Sequence, residues 1–299
     1  MKISSLNTMY KKARNFKVKM IDFPKFIISD PQKAKLLKNN RRFKDLHRGE
    51  RCFILGNGPS LNSVDFTLLE NETIFTANQI NRHPKFAQLK PKYHFWADPN
   101  FFKIDENKPE DMELLNVMKS INTNGNVPEC FFPIKQYEFT KKYQLDSELK
   151  VNYYYTGLNI YDNYKEQVDY TKPVPGFSSV IMWCITMAIY MGFKEIYLLG
   201  CDHTSFVAVI QAVMESSVDE YAYTVTESER KRMNNLLKDN SMRIRARDYA
   251  YTFEQFEQLV QYCKSKNIIL ANCTERTAID SIPRRDLKQV VANEERVAY

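Results

Sequence analysis

An α/β fold, a mainly parallel sheet with helices on both faces, is predicted by three features of the sequence. Short, continuously apolar runs of strand length end at Gly, Asn or Asp; helical spacing fills several of the stretches between them; and such unbroken runs suit strands covered on both sides. The composition agrees, since 299 residues with 43% hydrophobic and 13% aromatic side chains can bury a sizeable core. Disordered, collagenous and small disulfide-stapled classes are excluded.

The first element is a basic arm. Residues 1–50 hold 14 Lys and Arg against 4 Asp and Glu, whereas the whole chain has a net charge of +7, so residues 51–299 are slightly acidic. Lys11, Lys12, Arg14, Lys17 and Lys19 are interleaved with Tyr10, Phe16, Val18 and Met20, and a second basic run covers Lys33 to Arg48. Two readings stand: a solvated helical arm packed on its own domain or on a second subunit of a homo-oligomer, or attachment to anionic lipid, where each basic residue contributes about 1 kcal/mol. Nucleic acid is not expected as a partner, because its phosphates need basic side chains spread over a binding face. Met1 to Ser5 opens no long apolar segment, which points to a cytoplasmic protein, peripheral on the inner membrane face under the second reading.

Arg51 to Leu55 then reads as the first buried strand, ending at Gly56. Strands are expected at Thr73–Thr76, Tyr93–Ala97, Glu129–Phe132, Glu195–Leu199 and Ile268–Leu270. Pro173 to Phe193 carries no charge, but Pro173, Pro175, Gly176, Ser178 and Ser179 interrupt it, leaving too little to cross about 30 Å of hydrocarbon. A buried helix over Val180–Met191, capped by Ser178 or Ser179 and stopped by Gly192, is the expected form. Phe253, Phe256, Leu259 and Val260 recur at helical spacing before the last strand. The six cysteines, 52, 130, 184, 201, 263 and 273, form no C-x-x-C pair and read as reduced core thiols.

In parallel sheets ligands sit at the carboxyl ends of strands, which directs attention to four loops. Gly56-Asn57-Gly58-Pro59-Ser60 offers a tight turn, close backbone approach, two polar side chains and a helix start, features suited to a phosphate or ribose. It lacks the third Gly of the dinucleotide fingerprint and the Lys of a P-loop. Asn78 and Asp98 stand at the next two strand ends, Asn78 able to read a base edge or sugar hydroxyls without adding charge. Asp202-His203 closes Glu195–Leu199, pairing a carboxylate with the imidazole best placed for proton transfer among His47, His83, His94 and His203.

Gly56-Asn-Gly-Pro-Ser-Leu61, Val64-Asp65-Phe66, Asn78-Gln79, Pro99 followed by Phe101-Phe102, Ser178, and Gly192-Phe-Lys-Glu-Ile-Tyr-Leu-Leu-Gly200-Cys-Asp202 resemble, in the same order, bacterial sialyltransferases of glycosyltransferase family 42 across roughly residues 51–270. The chain is also similar to polysaccharide-cluster proteins grouped with hydroxymethylpterin diphosphokinases, through the Gly-Asn-Gly-Pro-Ser-Leu loop, the Gly-x-Asp-His strand end and Asn272-Cys273-Thr274. Both resemblances imply a Rossmann-like domain, here 51–299, which the first makes a GT-A variant. The first also implies inverting transfer of a nonulosonic acid or Kdo-type sugar from its CMP-linked donor to a glycan or lipid-linked saccharide acceptor, with no cofactor and no metal.

On this reading Gly56, Asn57, Gly58, Pro59, Ser60, Asn78, Asp98, Ser178 and Ser179 form the nucleotide site, with Asp98 where the family has Asn. Two departures stand out. Where that family carries its catalytic His this chain reads Arg245-Ala-Arg247-Asp248-Tyr249, and Thr204 takes the place of the first of two tyrosines, for which Tyr221 or Tyr223 are the substitutes at hand. His203 is therefore expected as base, Asp202 as its partner and Arg247 as a stabiliser of phosphate charge. Residues 205–249, with a charged helix around Thr226–Lys238, are expected to form a lid. Two other functions compete: ATP- and Mg²⁺-dependent pyrophosphate transfer, with Asp98 and Asp202 as its carboxylates, and a non-catalytic nucleotide-binding subunit.

Overall fold

The computed structural model describes residues 2–122, 125–204, 206–207, 210, 222–230, 232 and 241–292. Strands β1 (Arg51–Leu55), β2 (Thr73–Ala77), β3 (Tyr93–Phe95), β4 (Glu129–Pro133), β5 (Lys150–Tyr154), β8 (Glu195–Leu199) and β9 (Ile269–Asn272) form one sheet in the order β5-β4-β3-β2-β1-β8-β9, every pairing parallel. β6 (Thr156–Leu158) and β7 (Val174–Pro175) make a separate two-stranded ribbon. The expected Rossmann-like α/β architecture is the one observed. All six anticipated strands are present, β3 two residues shorter and β9 displaced toward Asn272. The sequence reading lacked β5, an edge strand whose exposed Lys150 and half-buried Val151 give it no continuous apolar run.

Side chains alternate across β1: Cys52 and Ile54 enter one buried cluster, Phe53 and Leu55 the other, so both faces of the sheet are covered. One layer is dominated by the helix Val180–Tyr190, nine of whose eleven residues are buried. The other contains the helix Pro109–Lys119, with Leu114, Leu115 and Met118 turned inward. None of the six cysteines is in a disulfide, and five are buried. No helix among the described residues is long and apolar enough to cross a membrane.

The helix Val180–Tyr190 ends against the segment before β1. Asp45 N donates to Tyr190 O at 3.1 Å, His47 N to Met191 O at 2.8 Å and Gly49 N to Gly192 O at 3.0 Å, so the helix's last carbonyls are satisfied from outside. Gly192 has φ +91°, and a Cβ there would stand 3.1 Å from Arg48 Cα, which is why the stop residue is Gly. His47 stacks on Phe193 with centroids 4.5 Å apart and bonds Tyr93 Oη at 2.8 Å.

Charge therefore misplaces the boundary of the N-terminal arm at residue 50. Leu37, Asn40 and Phe43 are buried with the sheet, and Asn40 Nδ2 donates to Tyr153 O at 2.7 Å and Tyr170 O at 2.9 Å. Residues 31–49 are therefore anchored to the sheet domain through a few buried side chains. The helical stretch before them, Lys2–Lys17, Val18–Asp22 and Phe23–Ser29, lies on the outside of the body. Asn40→Ala strands two buried carbonyls and is expected to lower unfolding free energy by about 1–3 kcal/mol, measured by urea denaturation.

Candidate functional site

Strands β1 to β5 step outward on one side of β1, and the chain then crosses to place β8 on its other side. Strand order reverses between β1 and β8, and a crevice opens at the carboxyl ends of such a pair. The two strand-end loops meet there. Gly56 N donates to Leu199 O and Gly58 N to Gly200 O, each at 2.8 Å. Asp202 reaches across: its Oδ2 accepts from Ser60 Oγ at 2.6 Å and its Oδ1 from Ser60 N at 3.2 Å. A Cβ on Gly58 would stand 1.9 Å from Asp202 Oδ2. The second glycine of the loop thus makes room for a carboxylate of the protein itself, where the sequence suggested room for a ligand.

Burial raises the Asp202 carboxyl above its ordinary range, and the bonds from Ser60 oppose the rise. Cys201 N donates to Thr274 Oγ1 at 3.0 Å, and Thr277 Oγ1 donates to Cys201 O at 2.8 Å, so the segment after Asn272 braces the same loop.

Two adjoining cavities open at this edge. One of about 230 Å³ is lined by Gly56, Asn57, Gly58, Asn78, Asp202 and Thr204 among others. A larger one, about 780 Å³, includes Asp98, Lys135, Ser178, Trp183, Asp248 and Tyr251 in its walls. Asn78, Ser179, Val180 and His203 line both, which makes one continuous cleft. The Oδ1 atoms of Asn57 and Asn78 are buried and have no hydrogen-bond partner among the described residues, and buried acceptors of this kind ordinarily have one. Asn57 itself is anchored through Nδ2 to Ala77 O at 3.2 Å.

The N-terminus of the helix Val180–Tyr190 lies at the cleft, and the side chain of its N-cap Ser179 does not cap it; free N–H groups at a helix start suit an anion. Gln255 holds the approach, accepting from Ser178 N at 2.8 Å and donating to Gly176 O at 3.0 Å.

His203 is half-buried, and burial drops its pKa to about 4, so it is neutral at pH 7. Its Nε2 lies 3.4 Å from Ser179 Oγ, and its ring meets Phe256 edge-on at 5.0 Å. Asn78 and His203 both hold left-handed backbone, φ 51° and 52°, a conformation in which Asn and His are enriched among non-glycine residues. Beneath Asn78, His94 is fully buried with its pKa lowered to about 3 by burial, and Nδ1 lies 2.8 Å from Thr76 Oγ1.

The expected site residues therefore divide. Gly56, Asn57, Gly58, Asn78, Asp98, Ser178, Ser179, Asp202 and His203 line the cleft. Pro59 and Ser60 lie behind it, opening a 3₁₀ turn. Asp202 spends its carboxylate on Ser60, not on His203. Arg247 is exposed beside Asp248, 3.4 Å away, and is not part of the lining. Tyr223 is buried outside the cleft, whereas Ser205 and Tyr221 lie outside the described residues.

The proposed lid boundary at residue 249 falls inside the helix Met242–Ser265. Ala222 N donates to Asn57 O at 3.0 Å, and Glu229 accepts from Gln79 Nε2 at 2.8 Å while paired with Arg232. Described parts of the 205–249 segment therefore rest on the β1 and β2 loops. The remainder of the expected Thr226–Lys238 helix lies outside the described residues. Among those described, no three His, Cys, Asp or Glu side chains gather as a metal site.

Lys135, Tyr251, Thr252 and Gln255 also line the cleft, beyond the residues expected from the sequence. Gln255 left a signal, a polar residue on the buried stripe between Thr252 and Leu259.

A family model described as 6-hydroxymethylpterin diphosphokinase MptE-like matches residues 29–205, more than half of the chain. Among solved structures, the MAf glycosyltransferase from Magnetospirillum magneticum AMB-1 is 14% identical with a TM-score of 0.45, over 88% of this chain and 41% of that one. This chain thus spans about two fifths of that protein's length. The sialyltransferase CstII from Campylobacter jejuni, in complex with a substrate analogue, cytidine-5'-monophosphate, is 20% identical with a TM-score of 0.43, over 80% of this chain and 86% of that one. A comparison with curated proteins finds no match.

Gly58→Ala is expected to destabilise the wild type more than an Asp202→Gly background, with a coupling of about 1–3 kcal/mol in a double-mutant cycle read by urea melts. As pH falls below about 6.5 the unfolded chain protonates its imidazoles, whereas His203 and His94 resist until about 4 and about 3. Each therefore lowers stability by up to about 1.4 kcal/mol per pH unit across that window, and His203→Gln should flatten the slope between pH 6.5 and 4.

Proposed function

The chain belongs to the 6-hydroxymethylpterin diphosphokinase MptE-like family, and with that membership as premise we propose that it is a glycosyltransferase that binds a CMP-activated sugar in the cleft between β1 and β8. The observation that carries the reading is the pair of buried amide oxygens, Asn57 Oδ1 and Asn78 Oδ1, with no partner among the described residues, set beside a helix N-terminus that the Ser179 side chain leaves uncapped. Amide acceptors suit the exocyclic amine of cytosine or the ribose hydroxyls, and the helix end suits one phosphate. The motif resemblance to bacterial sialyltransferases supplies the donor class and the inverting course. The larger cavity, with Trp183, Tyr251 and Lys135, has room for the sugar and acceptor.

In the reaction the acceptor oxygen bonds to the anomeric carbon as the bond to the CMP phosphate oxygen breaks. The acceptor proton passes to His203 Nε2, which burial keeps neutral, and the electron pair leaves on the phosphate. The uncapped N–H groups of the helix Val180–Tyr190 and Lys135 are the groups assigned to the departing charge. Asp202 acts by holding the Gly loop in place, and Arg247 has no part.

The family description favours a second reading, pyrophosphate transfer from ATP. Among the described lining residues its Mg²⁺ would have Asp98 and Asp248, since the Asp202 carboxylate is occupied by Ser60.

Thermal shifts with CMP, CDP, UDP, GDP and ATP, with and without Mg²⁺, separate the two. CMP at about 100 times its Kd is expected to add roughly 2.7 kcal/mol and to keep doing so in chelator. ATP selectivity with strict Mg²⁺ dependence selects pyrophosphate transfer instead. His203→Ala is expected to lower turnover by about 10²–10⁴ with CMP affinity unchanged; near-normal turnover removes His203 as base.

A further inference from the structure

The helix Lys2–Lys17 turns polar side chains toward the body and apolar ones away from it. Lys11, Asn15 and Val18, at helical spacing, are the residues turned inward and buried. Two of these are polar and are matched by the body: Lys11 Nζ pairs with Glu254 at 2.9 Å, and Asn15 Nδ2 donates to Asn159 O at 2.9 Å. The opposite face carries Leu6, Met9, Phe16 and Met20, with Tyr10 at its edge, each between 58% and 67% exposed. Beyond the π-helical turn Val18–Asp22 the outward side continues with Ile28, 79% exposed. A helix that faced only water would place its polar residues on this side.

Charge selects the partner. Residues 2–29 hold seven Lys and Arg and a single acid, Asp22, which is paired with Lys17 at 2.6 Å. Lys12, Arg14 and Lys25 are exposed beside the apolar face and have no ion-pair partner among the described residues. A second copy seated on this face would bring two such basic helices together. An anionic bilayer accepts both components, taking the apolar side chains below its headgroups and meeting the cations with lipid phosphates.

We propose that this outward face is an in-plane membrane anchor that docks the protein on an anionic phospholipid surface. The anchor is built against the cleft. Lys11 lies over the Tyr251 ring at 5.3 Å, and Val18 packs against Gly157, where a Cβ would stand 3.2 Å from its Cγ1. Tyr251 and Thr156 are in the cleft wall. Docking therefore holds the wall of the larger cavity one helix diameter, roughly 10 Å, from the lipid surface. The anchor holds whichever nucleotide the cleft takes, so its test is separate from that of the reaction.

The full-length chain is mixed with vesicles of phosphatidylcholine alone or with about one third phosphatidylglycerol, and bound protein is separated by flotation. Binding to the anionic vesicles is expected, reduced about tenfold by Phe16→Glu and by Lys12→Glu/Arg14→Glu, with thermal melts unchanged because these side chains are exposed. Phe16→Trp is expected to shift its emission to the blue on addition of anionic vesicles, above the constant signal of buried Trp96 and Trp183. No flotation of the wild type at low salt overturns the proposal, as does flotation indifferent to Phe16→Glu. Light scattering that shows a dimer parted by Phe16→Glu, without a Trp shift on lipid, assigns the face to a second copy and overturns it too.

Discussion

The grip of Asp202 on Ser60 is the constraint from which the functional edge of this molecule takes its shape. β1 and β8 are neighbours in the sheet but lie some 140 residues apart in the chain, and the loops that leave them would diverge if only their strands were paired. The carboxylate closes that gap with two hydrogen bonds, two backbone bonds from Gly56 and Gly58 extend the pairing beyond the strands, and Gly58 has no side chain to obstruct it. Removing the acceptor leaves the half-buried Ser60 amide and hydroxyl without this partner, so the cost falls on the geometry of the whole loop. Asn57, which lines the cleft, is positioned as a by-product of this closure.

A second constraint acts along the helix Val180–Tyr190. Its far end is finished by backbone donors from residues 45–49, and its near end is left open in the cleft. An almost wholly apolar rod, fixed at its carboxyl end and packed on both sides, presents its amide donors at a defined height above the sheet. Gln255 sets the strand of chain leading into it by bonding both Gly176 and Ser178. The position of the helix's open end in the cleft thus depends on contacts made at its other end.

Much of this was legible in the sequence. Runs such as Cys52–Leu55 and Glu195–Leu199 announce buried parallel strands because both faces of the sheet are covered, and the polar residues that follow them mark the crevice. Three things were hidden. β5 is an edge strand with an exposed start, so it lacks the apolar run that marks the others. The partner of Asp202 is 142 residues away, and its neighbour His203 invited a local pairing that the left-handed turn at His203 does not make. The arm was bounded by charge, a property of surfaces, while Leu37, Asn40 and Phe43 were already contributing to the core. Gln255 shows where more could have been read, because a glutamine on an otherwise buried helical stripe has to bond something.

The strand order also dictates a schedule for synthesis. β1 is complete once residue 55 has emerged, but one of its two flanking strands, β8, is not finished until residue 199. At roughly 5–20 residues per second the interval is on the order of ten seconds or more, during which β1 through β5 can assemble with Phe53 and Ile54 beside an open edge. Non-local pairing of this kind is slow to reward the loop entropy it costs. The nascent half-sheet therefore has the properties of a chaperone client, and slowing translation between residues 55 and 199 would lengthen that exposure rather than relieve it.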